Sequence, residues 1–435
     1  MHNREHDRDR KYEFIIIGSG PGGATLAMEL AKHKKDVLVV EKGKYEQEFG
    51  NLRDIARFYD VRNSSPQMRA SQEGILLFRA FMAGGTAVVS CGNGIRCLET
   101  ELSDLGIFLE KEFVEAELEM NIAPLPESLL SEGSQKLKWA AEALGYGMKL
   151  MPKFINFEKC KKCGKCIAGC PNGAKWSAID YIEKAIRCGA SIDYETIVRR
   201  VLVKRGRVEG IAVIGTQGET KILADTVIIA AGGLETPLIL NRSGIEGAGK
   251  NLFLDLYINT FGEGRGVNQL HEPVMAMVND EFFSAKGFII SPFINRWKIG
   301  RFSELGKAGL HLNQSNLIGF MTKIADESKG CVFPDGTISK VVTKRDRERL
   351  CEGVSLSREI MIKAGAPKES LIDSKIQGAH PGGTAAIGKI VDKDLQTNIE
   401  NLFVCDASVL PLAPGLPPIL TIVALAKRLS KMLIT

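Results

Sequence analysis

Cys160, Cys163, Cys166 and Cys170, with Pro171 immediately after, form a C-x2-C-x2-C-x3-C-P run. Thiolates at this spacing are those of bacterial iron–sulfur sites, where the bound cluster passes electrons singly. Spacing alone leaves two other arrangements open. Close C-x2-C pairs also hold zinc. In two-cluster ferredoxins the fourth cysteine of such a run serves a different cluster, so a remote thiol such as Cys188 is an alternative to Cys170. Gly164 and Gly169 permit the tight turns the loop needs, and Lys161, Lys162 and Lys165 would offset the charge of a thiolate-ligated cluster. Cys91, Cys97, Cys331, Cys351 and Cys405 are scattered and read as small core hydrophobes.

A second set of residues suits a nucleotide. Gly18-Ser19-Gly20-Pro21-Gly22-Gly23 follows the isoleucine-rich run 11–17 and precedes a helical stretch over 24–33. In a strand–turn–helix of this kind, Gly18 makes the turn, Gly20 lets a pyrophosphate approach the backbone, and Gly23 lets helix and strand pack closely. A second strand, 36–40, delivers Glu41 to its tip, where a carboxylate can accept from ribose hydroxyls. The pattern predicts a bound dinucleotide without separating FAD from NAD. A third feature is His380, in Gly378-Ala379-His380-Pro381-Gly382-Gly383-Thr384. An imidazole in a Gly/Pro turn, rather than inside a core helix or strand, is placed to exchange protons near neutral pH.

The elements that must hold these residues are those of an ordinary globular enzyme. The chain has 435 residues, 44% hydrophobic and 25% charged, enough for a large core in two lobes. Net charge +5 is small, and basic residues are spread along the chain, which argues against nucleic acid as partner. The first ten residues are polar, and the apolar run at 14–17 is too short for a signal peptide or a membrane span. Ten cysteines in a cytoplasmic chain stay reduced, so the clustered four fit metal better than disulfides. Helical sequence covers about 101–150, interrupted at Pro124 and Pro126. Short apolar strands at 274–278, 288–293 and 317–324, with a Pro334-Asp335-Gly336 turn, predict an antiparallel sheet.

Further segments separate the nucleotide alternatives. They are the Gly84-Gly85-Thr86 loop, the stretch from Val227 to Ile245 through Gly232-Gly233 and Thr236-Pro237, the HP-GG-T turn at His380, Val391-Asp392, Asn401-Leu402 to Ser408, and Pro417-Pro418-Ile419-Leu420-Thr421. Along nearly its whole length the chain resembles the glucose–methanol–choline oxidoreductases, which are FAD enzymes. The resemblance implies an α/β fold: a Rossmann-like FAD-binding domain, an α+β substrate domain with an antiparallel sheet, and an iron–sulfur cluster loop. It divides the chain into a disordered tail (1–11), FAD-binding segments (12–100, 179–252 and 376–435), substrate segments (101–154 and 253–375) and the cluster loop (155–178). The substrate lobe is trimmed relative to the family.

The same resemblance implies FAD contacts at Gly18, Gly20, Gly23, Glu41, Gly84, Gly85, Thr86, Asn93, Val198, Gly232, Asp406, Ala407 and Pro418. A hairpin turn at Arg207-Val208-Glu209-Gly210 precedes the adenine-side strand. His380 corresponds to the family base that takes a hydroxyl proton while the carbinol hydride moves to the flavin. The family's second catalytic position, His or Asn, is Pro417 here, and proline has no side-chain donor or acceptor. Asn93, His271 and His311 are the candidate replacements. A helix from about 419 to 433 would aim its positive N-terminus at the flavin. Some family dehydrogenases hold a three-iron cluster through cysteines spaced like Cys160, Cys166 and Cys170. With Cys163 added, the resemblance implies one [4Fe–4S] cluster held by Cys160, Cys163, Cys166 and Cys170.

The functional expectation is an FAD-dependent dehydrogenase that oxidises a CH–OH group of a small-molecule substrate. Electrons would leave through the cluster to a redox protein or quinone-like acceptor, in a homo- or hetero-oligomeric state left open. The alternatives are a flavin/iron–sulfur enzyme acting on a carbon–carbon bond, or an electron-carrier subunit.

Overall fold

A computed structural model describes residues 10–51, 74–215 and 218–434. The isoleucine-rich segment forms β1 (Lys11–Ile17), which pairs in parallel with β2 (Val37–Val40). Between them runs α1 (Pro21–Lys32), with Pro21 in its first turn, where the missing amide costs no hydrogen bond. The helix therefore starts three residues before the sequence suggested. Beyond β2 lies β3 (Ser191–Asp193), reached through α2 (Ala178–Arg187). The other flank is a hairpin of β4 (Ile197–Lys204) and β5 (Arg207–Gly215), followed by β6 (Gly218–Ile229), which lies parallel to β1. The hairpin turns at Arg205 and Gly206, both at positive φ. The predicted turn residues 207–210 are already strand.

The sheet order is β3-β2-β1-β6-β5-β4, and the strand Leu402–Val404 pairs in parallel with the end of β6. The central parallel strands are apolar because both of their faces are covered. Helix α1 packs against α2 and against α4 (Ile419–Ile434). Two distant stretches of chain thus build one Rossmann-like layer.

The second sheet is antiparallel at its centre: β7 (Leu256–Glu263), β8 (Phe288–Pro292) and β9 (Leu317–Ile324), in the order β8-β9-β7. The short strands Gln377–Gly378 and Leu76–Leu77 extend it, so the chain on both sides of His380 spans the two sheets. Helix α3 (Lys344–Lys363) covers one face, its start fixed by a Thr343/Asp346 capping box.

Other predicted elements shrink. Residues 101–150 hold three separate helices (Glu99–Asp104, Glu110–Glu119, Glu132–Ala143). Of 274–278, only Met277–Val278 is strand, because Met275 turns to φ +57 and breaks the extended run. The tail expected over 1–11 lies outside the described residues up to residue 9, and Lys11 already opens β1. Among the described residues no helix is long and apolar enough to cross a membrane.

Candidate active site

The two sheets flank an open cleft of about 400 Å³ at the C-terminal ends of β1, β2 and β6, the place where open α/β sheets bind ligands. The glycine turn explains the local geometry. Gly18 sits at φ +99, and a Cβ there would stand 2.4 Å from the Ala230 carbonyl oxygen. A Cβ on Gly23 would stand 2.0 Å from the Gly18 oxygen, and one on Gly22 2.0 Å from the Cys405 oxygen. Gly20 has open space in front of it and borders the cleft, as backbone approach by a diphosphate requires. These residues fit a dinucleotide.

Gly18, Gly20, Glu41, Gly85, Thr86, Asn93, Val198, Gly232, Asp406, Ala407 and Pro418 border the cleft, whereas Gly23 and Gly84 do not. Gly84 donates its amide to Ser19 Oγ and sits at φ +81 against Ile179, so its part is to shape the loop. Two carboxylates are already engaged. Glu41 Oε2 accepts from Ser19 N and Oγ (2.8 and 2.6 Å), and Oε1 accepts from Gly43 N, leaving one lone pair for a ribose. Asp406 accepts from Gly232 N, Thr236 Oγ1 and Ser408 N, clamping the Gly232 loop to the C-terminal segment.

His380, like Pro417, borders the same cleft. Its loop docks by backbone bonds: the amides of Ala379 and His380 both donate to the Leu254 oxygen, and Gly382 exchanges bonds with Phe253. Gly233 and Gly382 make this docking feasible, since side chains there would strike Pro381 and Phe253. Imidazole Nδ1 is 2.8 Å from Asp255 Oδ2, and Asp255 Oδ1 accepts from Gly415 N at 2.8 Å. A carboxylate at Nδ1 fixes that nitrogen as the N–H, which leaves Nε2 as a proton acceptor. Burial in apolar walls lowers the His380 pKa well below its usual value, and the charge of Lys323 adds to this, so the ring is neutral.

Asp255 was not among the sequence candidates. Its side chain is fully buried, and its backbone is left-handed at φ +48, unusual for a non-glycine residue. Asp326 holds it there, accepting from the Leu254 and Leu256 amides while paired with buried Lys340. Burial raises the Asp255 carboxyl, opposed by Lys323, the Gly415 amide and Lys340. Lys323 also borders the cleft and is 2% exposed. The signal for both was a lone charge in an apolar run, Leu252–Tyr257 for Asp255 and β9 for Lys323. Among the candidate replacements for the second catalytic group, His271 and His311 are exposed and away from the cleft. Asn93 borders it, but its Oδ1 accepts from Lys153 Nζ at 2.5 Å and its Nδ2 faces Met275 Sδ.

Cys160, Cys163, Cys166 and Cys170 border one smaller pocket, and Ile167, next to Cys166, borders the cleft. Gly164 and Gly169 both have positive φ there. Cys188 caps α2 and does not border this pocket. Among the described residues no three His, Cys, Asp or Glu side chains are disposed to hold one metal ion. The four cysteines therefore share the lining of one small pocket. Of the three lysines expected to balance charge here, Lys161 and Lys165 border the pocket with the cysteines. Lys162 donates to the Ser128 and Leu130 oxygens, while buried Lys175 and Lys153 act on Cys166. Lys153 and Lys175 also brace the cleft loop, donating to the Cys91 and Val274 oxygens and to the Val88 and Ser90 oxygens respectively.

Comparison with known proteins matches this geometry. Residues 16–54 fit an NAD(P)-binding Rossmann-like domain, and residues 109–257 and 332–426 fit the N- and C-terminal parts of GMC oxidoreductases. An uncharacterized protein of Methanocaldococcus jannaschii is 29% identical, over 96% of this chain and 98% of its own length. A long-chain-alcohol oxidase of Arabidopsis thaliana is 26% identical over 98% of this chain and 68% of its own. The crystal structure of pyridoxine 4-oxidase from Mesorbium loti shares the fold at a TM-score of 0.75 and 18% identity, over 97% of this chain and 99% of that one. Formate oxidase of Aspergillus oryzae RIB40 superposes at 0.72 and 15% identity, over 97% and 98%. With both halves of the family pattern matched around a cleft that carries its glycine turn and its His380 loop, the chain belongs to the GMC oxidoreductases.

Proposed function

We propose that the chain is an FAD-dependent dehydrogenase that oxidises a CH–OH group. The observation that carries this reading is the His380–Asp255 pair: a neutral imidazole with Nδ1 held by a buried carboxylate and Nε2 free to take a hydroxyl proton. Bound FAD supplies the two-electron sink for the carbinol hydride. The residues that would hold it are the Gly18–Gly23 turn, Glu41, Val198, Gly85-Thr86, Asn93, Ala407 and Pro418. The N-terminus of α4, behind Pro417 and Pro418, borders the same cleft and favours negative charge on the acceptor side. Phe78, Tyr257, Met275, Phe293 and Met321 give the substrate end an apolar wall that excludes water.

Cys160, Cys163, Cys166 and Cys170 would hold a [4Fe–4S] cluster, which takes up electrons singly for an external redox protein or quinone-like acceptor. A cluster of four metals needs its thiolates set around a cavity. The thiols border such a cavity one residue from the cleft, and that supports this part of the reading. Ten unpaired cysteines support a reducing compartment, the cytoplasm.

The test is anaerobic: the purified protein is analysed for FAD and iron, examined by low-temperature EPR before and after dithionite, and mixed with a panel of primary alcohols. Flavin bleaching by an alcohol, about four irons per FAD and a signal appearing on reduction are expected. Bleaching without iron would leave an FAD alcohol oxidoreductase whose acceptor reacts at the flavin itself. Absence of bleaching by every alcohol, with oxidation of the reduced protein by enoyl compounds, would overturn the CH–OH reading.

A further inference from the structure

Among the described residues five lysines are buried: Lys153, Lys175, Lys323, Lys340 and Lys427. Four of them are neutralised or hydrogen-bonded by the protein. Lys153 and Lys175 donate to backbone oxygens, Lys340 pairs with Asp326, and Lys427 pairs with Glu29 and Glu119. Lys323 is the exception. Among the described residues its ammonium takes part in no hydrogen bond or ion pair, although the side chain is 2% exposed. Burial works against that charge and lowers the Lys323 pKa, whereas the Asp255 carboxylate favours the ammonium, so a negative oxygen arriving in the cleft would supply the hydrogen-bonding partner that the lysine lacks.

Its position shows where that partner comes from. Lys323 lies on β9, opposite Tyr257 in β7 and Ile289 in β8. Residues alternate along the strand. Ile318, Phe320 and Ile324 join the apolar core under α3, whereas Met321 and Lys323 border the cleft. The lysine therefore stands on the cleft-facing side of a wholly buried strand, in the lining that also includes His380 and Pro417, and near enough to His380 for its charge to act on the imidazole. The charged and titratable groups around it are Asp255, His380, Cys91 and Cys97. Asp255 attracts it most, but the Asp255 oxygens are engaged by His380 and Gly415.

Resting on the alcohol-oxidising reading, we propose that Lys323 is a catalytic residue whose ammonium donates a hydrogen bond to the substrate oxygen as that oxygen becomes negative. It would supply from the antiparallel sheet the second oxygen-holding group that Pro417 cannot. In the step, the O–H bond breaks with its proton going to His380 Nε2. The C–H bond breaks with its electron pair leaving on the hydride to the bound cofactor, and a C=O bond remains. Lys323 keeps its protons throughout. A fixed cation aimed at charge that develops only during reaction acts on the rate more than on ground-state binding.

The experiment uses FAD-loaded protein with Lys323→Met and Lys323→Arg. Benzoate, a carboxylate carried on an apolar ring, is titrated by its perturbation of the flavin absorbance, with neutral benzyl alcohol as the control. Expected are tenfold or greater weakening of benzoate binding in Lys323→Met, retention within about threefold in Lys323→Arg, and unchanged benzyl alcohol affinity in both. Flavin reduction by the best alcohol of the panel slows about 10²–10³-fold in Lys323→Met with KM nearly unchanged. Should Lys323→Met fail to hold FAD, Lys323→Gln makes the same comparison. Benzoate binding equally to parent and neutral variants, or not at all to the parent, overturns the proposal. If no alcohol reduces the parent flavin while benzoate still discriminates, the alcohol reading falls and the anion-holding lysine stands. If alcohols reduce parent and Lys323→Met at equal rates, the lysine proposal alone falls.

Discussion

Replacing Asp255 by asparagine changes one oxygen to an NH2 group and leaves volume nearly constant, so its effect can be worked out atom by atom. The carboxylate receives two donors, His380 Nδ1–H and the Gly415 amide, each at 2.8 Å. The amide side chain has one oxygen for both. If that oxygen stays on Gly415, the NH2 faces His380 Nδ1. That nitrogen must then become the acceptor, and the proton moves to Nε2, where the base is needed. If the oxygen turns to His380, two N–H groups confront each other at Gly415 in a fully buried position, which costs about 1–3 kcal/mol. The Gly415 amide is fixed in the backbone and the imidazole can exchange tautomers, so the first arrangement prevails. Holding an imidazole in the wrong tautomer costs about 10²–10⁴ in rate, roughly 3–5 kcal/mol of barrier. Stopped-flow reduction of the flavin by an alcohol under anaerobic conditions measures this directly. FAD content and the melting temperature check that the site is intact. A variant that holds FAD and reduces it within threefold of the parent refutes the reasoning, because His380 would then not depend on Asp255 for its proton position.

Three other outcomes follow from particular contacts. Gly22→Ala places a Cβ 2.0 Å from the Cys405 oxygen, whereas Gly20→Ala meets nothing within 4 Å. The first variant should lower apoprotein stability by about 1–3 kcal/mol. The second should melt like the parent but bind FAD more weakly, and equal melting of both would refute the packing argument. Glu272 accepts from Ser131 and Ser134, and burial raises its carboxyl to about 7. A raised folded pKa means that the native state holds a proton the unfolded chain has lost. Stability is therefore full below the ordinary carboxylate value and declines as pH rises to about 7. Melting curves of Glu272→Gln between pH 4 and 8 should show a shallower decline than the parent, and parallel curves would count against it. Finally, Cys166→Ser should cut iron per FAD to well under half without loss of flavin. Unchanged iron would remove Cys166 from the proposed ligand set.

What the sequence made legible was mostly local. The Gly18–Gly23 turn, Glu41 at the tip of β2 and the His380 loop are short stretches whose residue types follow from backbone geometry within a few positions. β9 was legible to the residue, because Leu317–Ile324 is a short, largely apolar run that follows a polar stretch and carries a β-branched, aromatic bias. The oxygen-holding end of the cleft was not. Asp255, Lys323, Asp326 and Lys340 come from three separate stretches of chain, and although Asp255 and Lys323 each interrupt an apolar run, neither run shows what its charge faces. Only pairing of β7 with β9 brings Tyr257 beside Lys323 and sets Asp326 against the amides that flank Asp255. The same limit applied to Asp406 and Glu41. Glu41 was marked by its place at the tip of β2 and Asp406 by the family resemblance, and neither signal revealed that their oxygens also hold the protein's own amides and hydroxyls. Lys162 was misjudged because proximity in sequence to the cysteines did not decide where its flexible side chain would find carbonyls.

The contact of Gly22 with the Cys405 carbonyl, and of α1 with α4, has a consequence for how the protein is made. The phosphate-side turn is translated well before the strand Leu402–Val404 and α4, which seat it. At about 5–20 residues per second, the first βα unit waits on the order of 20–80 s for its neighbours. Through that interval the apolar faces of β1, β2 and α1 lack their final cover, and the cleft has no back wall. FAD can therefore be locked in only after residues 402–434 have been synthesised. Cofactor loading in the cell becomes a late event, set by the arrival of the C-terminal strand and helix and not by the glycine turn that binds the diphosphate.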